Sequence, residues 1–232
     1  MAVNNLLSTI SGGAPKRTDL KGFRGFTLAE VLITLVIIGV IAAMTIPTLM
    51  NNTNKQEYVS RLKKTYSVLT QATQKIIAEE GMPRGDIGGW ATSSEAVYNM
   101  YKKYLSNTKE CGIGTGCFQG TYLRMNNTTQ QYDAGRYTFV LADGTEVGVG
   151  NNDFSSDCSL NSNGTRNTCQ VILVDINGAK GPNEVGRDAF AFSLLENGLV
   201  PTGCGSNSIC VKGVSHGWDC TCKVLRENAM NY

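Results

Sequence analysis

An α+β fold, with one long N-terminal helix followed by a small antiparallel sheet, is what this 232-residue sequence predicts. Two observations carry that expectation. An apolar run over residues 26–50 passes without a break into a stripe of apolar side chains, three or four apart, that lasts to about residue 80. Gly81-Met82-Pro83 stops the stripe, and beyond it the alternation shortens to a period of two in short segments ended by Asp-Gly or Asn-Gly. Helix first and sheet afterwards, segregated along the chain, is an α+β plan.

The helix is taken first. Over residues 26–50 it is apolar all round, and its single charge is Glu30. These residues would span about 37 Å as a helix, enough to cross a hydrocarbon core of about 30 Å with some tilt. Over 51–83 the pattern turns amphipathic: Tyr58, Leu62, Tyr66, Leu69, Thr73 and Ile76 form one stripe on an otherwise polar helix, which needs a covering surface. Pro47 removes a hydrogen bond inside the helix, so a soft point is expected there. The remainder, 84–232, supplies the cover. Residues 94–105 read as a short amphipathic helix capped by Ser93 or Ser94. Residues 136–142 and 145–149 flank Asp143-Gly144 as a hairpin; 170–176 is a β-branched run ended by Asn177-Gly178, and 188–195 alternates before Asn197-Gly198. About four antiparallel strands result, one face of which is expected to cover the amphipathic half-helix.

The N-terminal run does not behave as a cleaved secretory signal. Such signals carry an apolar region of about 7–15 residues before a small-residue cleavage site; this run is longer and no such site follows it. An ordinary signal anchor leaves Gly25-Phe26 and an acid near the membrane edge unexplained, and such an acid is costly in lipid without a partner. Before Gly25, Lys16, Arg17, Lys21 and Arg24 stand against Asp19, a net +3 out of the whole chain's +2, which leaves the rest at −1. The positive-inside rule then places 1–25 in the cytoplasm and the C-terminal part outside the membrane. A near-neutral remainder gives no electrostatic ground for nucleic-acid binding, and none is expected.

Lys21-Gly22-Phe23-Arg24-Gly25, followed by Phe26-Thr27-Leu28-Ala29-Glu30-Val31-Leu32-Ile33, resembles the class III signal of type IV pilins and of the related pseudopilins of type II secretion. The resemblance implies a pilin-like roll. It further implies that a membrane-embedded prepilin peptidase cuts between Gly25 and Phe26 and methylates the new amine. That amine, with an ordinary pKa near 8, is mostly cationic at neutral pH, and in the family's assembly it meets the Glu of a neighbouring subunit, here Glu30. The implied partners are copies of the chain and related pilins, the peptidase, and an inner-membrane platform with its cytoplasmic ATPase. Gly39 and Pro47 also sit where family members often place these residues; the soft point at Pro47 either lets the helix stretch or melt as it packs into a filament or is a proline tolerated at the membrane exit. The leader is longer than in many pilins that begin with Phe, which leaves the subfamily open.

All eight Cys lie after residue 110. Outside the membrane an even count in a Gly-rich region reads as disulfides. Short spacings suggest Cys111 with Cys117 and Cys158 with Cys169. Cys220 and Cys222 are too close to bond each other, so they are expected to reach Cys204 and Cys210, in an order the sequence leaves open. These spacings suit zinc poorly. Asp175, Asn177 and Asp188 supply hard oxygens near a strand connection, where some pseudopilins hold Ca²⁺. Counted as an EF-hand from Asp175, however, the twelfth position is Gly186, so a polar turn without cofactor is the favoured reading. The Asn-x-Thr triplets at Asn51, Asn126, Asn127 and Asn163 read as polar loops.

No nucleophile elbow, H-E-x-x-H or P-loop occurs, and the lone His216 reads as a surface residue. The expectation is a structural subunit rather than an enzyme: a prepilin-like protein of the inner membrane, bound for an extracellular pilus or a periplasmic pseudopilus. The alternative is a minor tip subunit whose loops at 106–130 or 200–222 bind a surface, a sugar or DNA during uptake. The C-terminal Cys-rich loop leans towards a pilus, and the segment 175–183 towards a pseudopilus.

Overall fold

The computed structural model describes residues 25–83, 89, 91–114, 116–118, 121–131, 135–150, 168–205 and 208–232; the leader before Gly25, Cys158 and Asn163 lie outside the described residues. The first element, α1 (Leu28–Glu80), is a 53-residue helix containing Pro47. By compactness the chain divides just after Pro47 into two units, Met1–Pro47 and Thr48–Tyr232.

In the first unit, residues Leu28–Pro47 are long and apolar enough to cross a membrane. The large side chains from Phe26 to Ile46 stand between 42% and 88% exposed, so this stretch offers apolar surface that nothing in its own unit covers.

The second unit holds the rest of α1 and every other element. The stripe expected on α1 is present: Val59, Leu62, Leu69, Thr73 and Ile76 are buried, with Tyr58 and Tyr66 partly so. Next comes α2 (Ser94–Tyr104), begun by Ser93, whose Oγ accepts from Ala96 N at 3.0 Å. Glu95 sits in its first turn and Lys102 and Lys103 in its last, matching the helix dipole. Its Tyr101 is fully buried against α1. Because the Thr73 hydroxyl donates to Leu69 O, the 2.5 Å contact between Tyr101 Oη and Thr73 Oγ1 makes the tyrosine the donor.

Among the described residues eight strands follow, β1 (Asn107–Ile113), β2 (Thr121–Leu123), β3 (Thr129–Gln131), β4 (Tyr137–Leu141), β5 (Glu146–Val149), β6 (Gln170–Asp175), β7 (Ala189–Leu195) and β8 (Gly198–Pro201), before a last helix, α3 (Cys220–Glu227). Six of them form an antiparallel sheet in the order β1-β4-β5-β6-β7-β8, and β2-β3 pair separately. The four strands expected from alternation are β4 to β7. The Asp143-Gly144 hairpin forms as expected, with Thr145 N donating to Asp143 Oδ1 at 3.1 Å. Asn197-Gly198 is not the end of the sheet, as the strand count implied; it is the turn into β8.

Phe139, Val147, Val149, Ile172, Val174, Phe190, Phe192 and Leu194 line the sheet face that packs on α1 and α2, and Tyr66 stacks on Phe192 with ring centres 5.4 Å apart. The opposite face carries a second small core of Cys117, Phe118, Tyr122, Leu173, Val185, Ala189 and Ala191, edged by Trp218. Gly148 belongs to this packing, since a Cβ there would come within 3.1 Å of the Phe118 ring. Cover on both faces explains why β5 is buried at all four positions and reads as a continuous rather than an alternating run.

Candidate processing and assembly site

The residues singled out by the sequence fall into three separate groups. The first is the entry to α1. Thr27-Leu28-Ala29-Glu30 forms a reciprocal cap. Thr27 N and Thr27 Oγ1 both donate to Glu30 Oε2 at 2.8 Å, and Glu30 N donates back to Thr27 Oγ1 at 3.2 Å. Two of the amide groups that a helix start leaves unpaired are thereby satisfied. Glu30 therefore has a partner in its own chain, a role missed in reading it only as a membrane acid. The signal was available, because Thr-x-x-Glu before an apolar run is a capping pattern in plain sight.

Gly25 and Phe26 precede the cap. Phe26 is 88% exposed. A side chain added at Gly25 would meet nothing within 4 Å, and its backbone does not lie in the left-handed region. Nothing local in the fold asks for glycine there, and the same open space surrounds Gly39.

The second group is the C-terminal clamp. Cys204 bonds Cys222 and Cys210 bonds Cys220, so two nested bridges tie the loop to the first turn of α3. Gly203 makes that approach possible: its φ is +84°, and a Cβ would fall 1.9 Å from Asp219 O. Thr202 Oγ1 adds a hydrogen bond to Trp218 O at 2.6 Å, and Cys222 N donates to Thr202 O at 3.0 Å. A separate bridge joins Cys111 to Cys117 and closes the loop that covers the second core. Cys169 is disulfide-bonded as well, while Cys158 lies outside the described residues.

The third group holds the candidate calcium oxygens. Asp175 is fully buried; its Oδ2 accepts from Tyr122 Oη at 2.5 Å and its Oδ1 from Asn177 N at 3.1 Å. Asp188, also buried, accepts from Glu184 N at 2.6 Å and Asn183 N at 2.8 Å. All four carboxylate oxygens thus face N–H or O–H donors, a set that fits a cation poorly. Among the described residues no group of three or more His, Cys, Asp or Glu is arranged to hold a metal ion. Burial pushes the Asp175 carboxyl up to about 8, against the pull of the Tyr122 hydrogen bond, and the nearby Asp188 charge adds to the rise. Burial also raises Asp188 and Glu146, the latter lying directly across the β5–β6 ladder from Asp175.

Comparison with known families gives two matches. The profile described as the prokaryotic N-terminal methylation motif matches residues 20–46. The profile described as a family of unknown function, DUF6613, matches residues 48–232. No curated protein and no solved structure gave a significant match. With the apolar helix directly behind it, the first match makes the segment a type IV pilin-like class III signal and the chain a membrane-anchored, pilin-like precursor. The second covers well over half of the sequence, so the chain belongs to the DUF6613 family of unknown function, its globular unit carried behind a pilin-type N-terminus.

Proposed function

We propose that this chain is a structural subunit of a type IV pilus or a type II secretion pseudopilus. A prepilin peptidase cuts it between Gly25 and Phe26 and methylates Phe26, and it polymerises through the apolar half of α1. The globular unit lies outside the inner membrane and the leader inside. Other copies and related pilins are its partners in the filament, and a platform protein and an ATPase drive assembly.

The observation that carries this reading is the junction itself. A methylation-motif match spans the step from a basic leader to an apolar helix, at a glycine that the local fold does not require. The uncovered apolar side chains that follow support it, because a bilayer and a bundle of identical helices are both surfaces that would bury them.

Mass spectrometry of the N-terminal peptide, in sheared surface filaments and in membranes, tests it. Abundant N-methyl-Phe26 in the sheared fraction is the result for a pilus subunit. Processed Phe26 confined to membranes is the result for a pseudopilus. An uncut leader in both fractions would overturn the proposal.

A further inference from the structure

A cavity of about 310 Å³ in the globular unit is walled by side chains that come from well-separated segments. Lys55 comes from α1, Arg124 from the turn between β2 and β3, Glu184 and Arg187 from the connection between β6 and β7, and Lys212 from the C-terminal clamped loop. Tyr232 completes the wall, its hydroxyl donating to Gly186 O. Four cationic side chains thus surround one side-chain carboxylate, in a chain whose part beyond Gly25 is close to neutral. That carboxylate is already engaged, Glu184 Oε2 lying 3.0 Å from Arg187 Nη1. Lys55 and Lys212 are both exposed, and among the described residues neither has an ion-pair partner. Gathered positive charge of this kind repels itself and raises the local concentration of anions.

Beside the cavity the same loop presents apolar side chains to solvent. Ile209 is 52% exposed, Val211 51% and Val214 66%. Gly213 N donates to Met125 O at 2.8 Å, which pins this stretch to the β2–β3 turn next to Arg124, and the nested bridges hold its ends. Cations beside exposed aliphatic residues make up a surface suited to a bilayer interface, where lipid phosphates take the charge and the aliphatic groups enter the acyl boundary. Lys55 follows Pro47, the end of the membrane-length stretch, by eight residues. Eight residues reach no further than about 29 Å even when fully extended.

We propose that this patch binds the phosphate-bearing headgroups of anionic phospholipids in the bilayer that anchors the chain. The inference rests on membrane anchorage and not on polymerisation. It gives the unassembled subunit a second, electrostatic hold on the membrane surface, one that is released on extraction into a filament.

The test uses the full chain in mild detergent, with phosphatidylglycerol or phosphatidylcholine added and bound lipids counted by native mass spectrometry. A lysine near an anionic surface contributes about fivefold in affinity, so a preference for phosphatidylglycerol of roughly 25-fold is expected from Lys55 and Lys212 together. Lys55→Gln with Lys212→Gln should lower the preference by about that factor, whatever the basic leader before Gly25 adds to it, and because both side chains are exposed, circular dichroism should be unchanged. Val211→Ser with Val214→Ser should instead weaken both lipids alike. Equal binding of the two lipids by the wild type, or an undiminished preference in the lysine variant, overturns the proposal. Saturation by inorganic phosphate without a lipid preference marks a free-anion site, and displacement of phosphatidylglycerol by a DNA duplex at equal phosphate concentration assigns the patch to nucleic acid; either overturns it too. Flotation with phosphatidylcholine liposomes reports the anchor separately, and a chain that fails to float removes the premise.

Discussion

At the entry to α1, Glu30 holds two roles that single substitutions can separate. Its carboxylate accepts from the Thr27 amide and hydroxyl, which starts the helix, and its charge is what assembly is proposed to use. Glu30→Gln keeps an acceptor oxygen for the cap and removes the charge. It is expected to leave α1 helical and Gly25 processed while filament yield falls sharply, as measured by shearing and immunoblot. Thr27→Val removes the hydroxyl and keeps the charge, so filaments are expected to persist. Equal loss in both variants would mean that the cap, not the charge, is what assembly needs. Asp175 offers a second test at this scale. Its carboxyl titrates near 8 in the folded protein, because burial disfavours the charged form, and near 4 when unfolded. Between those values the folded state holds one more proton, so stability is highest at the acid end and falls as pH rises towards 8. Glu146 and Asp188, both raised, act in the same direction. The melting temperature is expected to drop between pH 5 and pH 8 by the equivalent of a few kcal/mol. Asp175→Asn can accept from Asn177 N and donate to Tyr122 Oη, and it is expected to flatten most of that slope. A slope unchanged in the variant would place its origin elsewhere.

Among the elements, the C-terminal clamp is the one whose order depends most on covalent links. The bridge from Cys204 to Cys222 spans 18 residues and that from Cys210 to Cys220 spans 10, so each removes about 3 kcal/mol of unfolded-state chain entropy on the loop-closure account. Cys210→Ser with Cys220→Ser is expected to cost about that much. It should also expose residues 209–217 to trypsin at Lys212 while the sheet core stays intact, as read by limited proteolysis and mass spectrometry. How far each element could be read in advance follows from its surroundings. Long α1 was legible because its stripe repeats over many turns, and β4 to β7 because their apolar residues sit between Asp-Gly and Asn-Gly turns. By contrast β1 (NTKECGI) carries charge where alternation would be apolar, and its register against β4 shifts twice. Those are the marks of a protected edge strand, and they erase the pattern that identifies a strand. The three-residue β2 and β3 are too short to show a period at all. In α3, two of the first three residues are cysteines, which read as loop chemistry before they read as helix.

For the whole molecule, the division of the chain is the point on which structure and family agree. The compact unit begins at Thr48, and the DUF6613 match begins at residue 48, just after the methylation-motif match ends at 46. Every buried apolar residue among those described lies at Val59 or later, and the stretch before Pro47 presents its large apolar side chains exposed. The two units therefore differ in what they leave exposed: the first presents a membrane-length apolar surface, while the second buries a core of its own. Stability and anchorage are separable on this argument, and truncation tests it. A chain beginning at Thr48 is expected to be soluble and disulfide-bonded, and to unfold in a single cooperative transition in denaturant. Within it, Leu69→Ala, at a fully buried contact between α1 and the sheet, is expected to cost about 2–5 kcal/mol. The same substitution in the full chain should lower the melting point of the globular unit without altering cleavage at Gly25, since the proposed peptidase site lies in the other unit. If the truncated chain aggregated, or if Leu69→Ala blocked processing, the two units would not be independent, and the filament would have to be explained through the globular unit as well as through the helix.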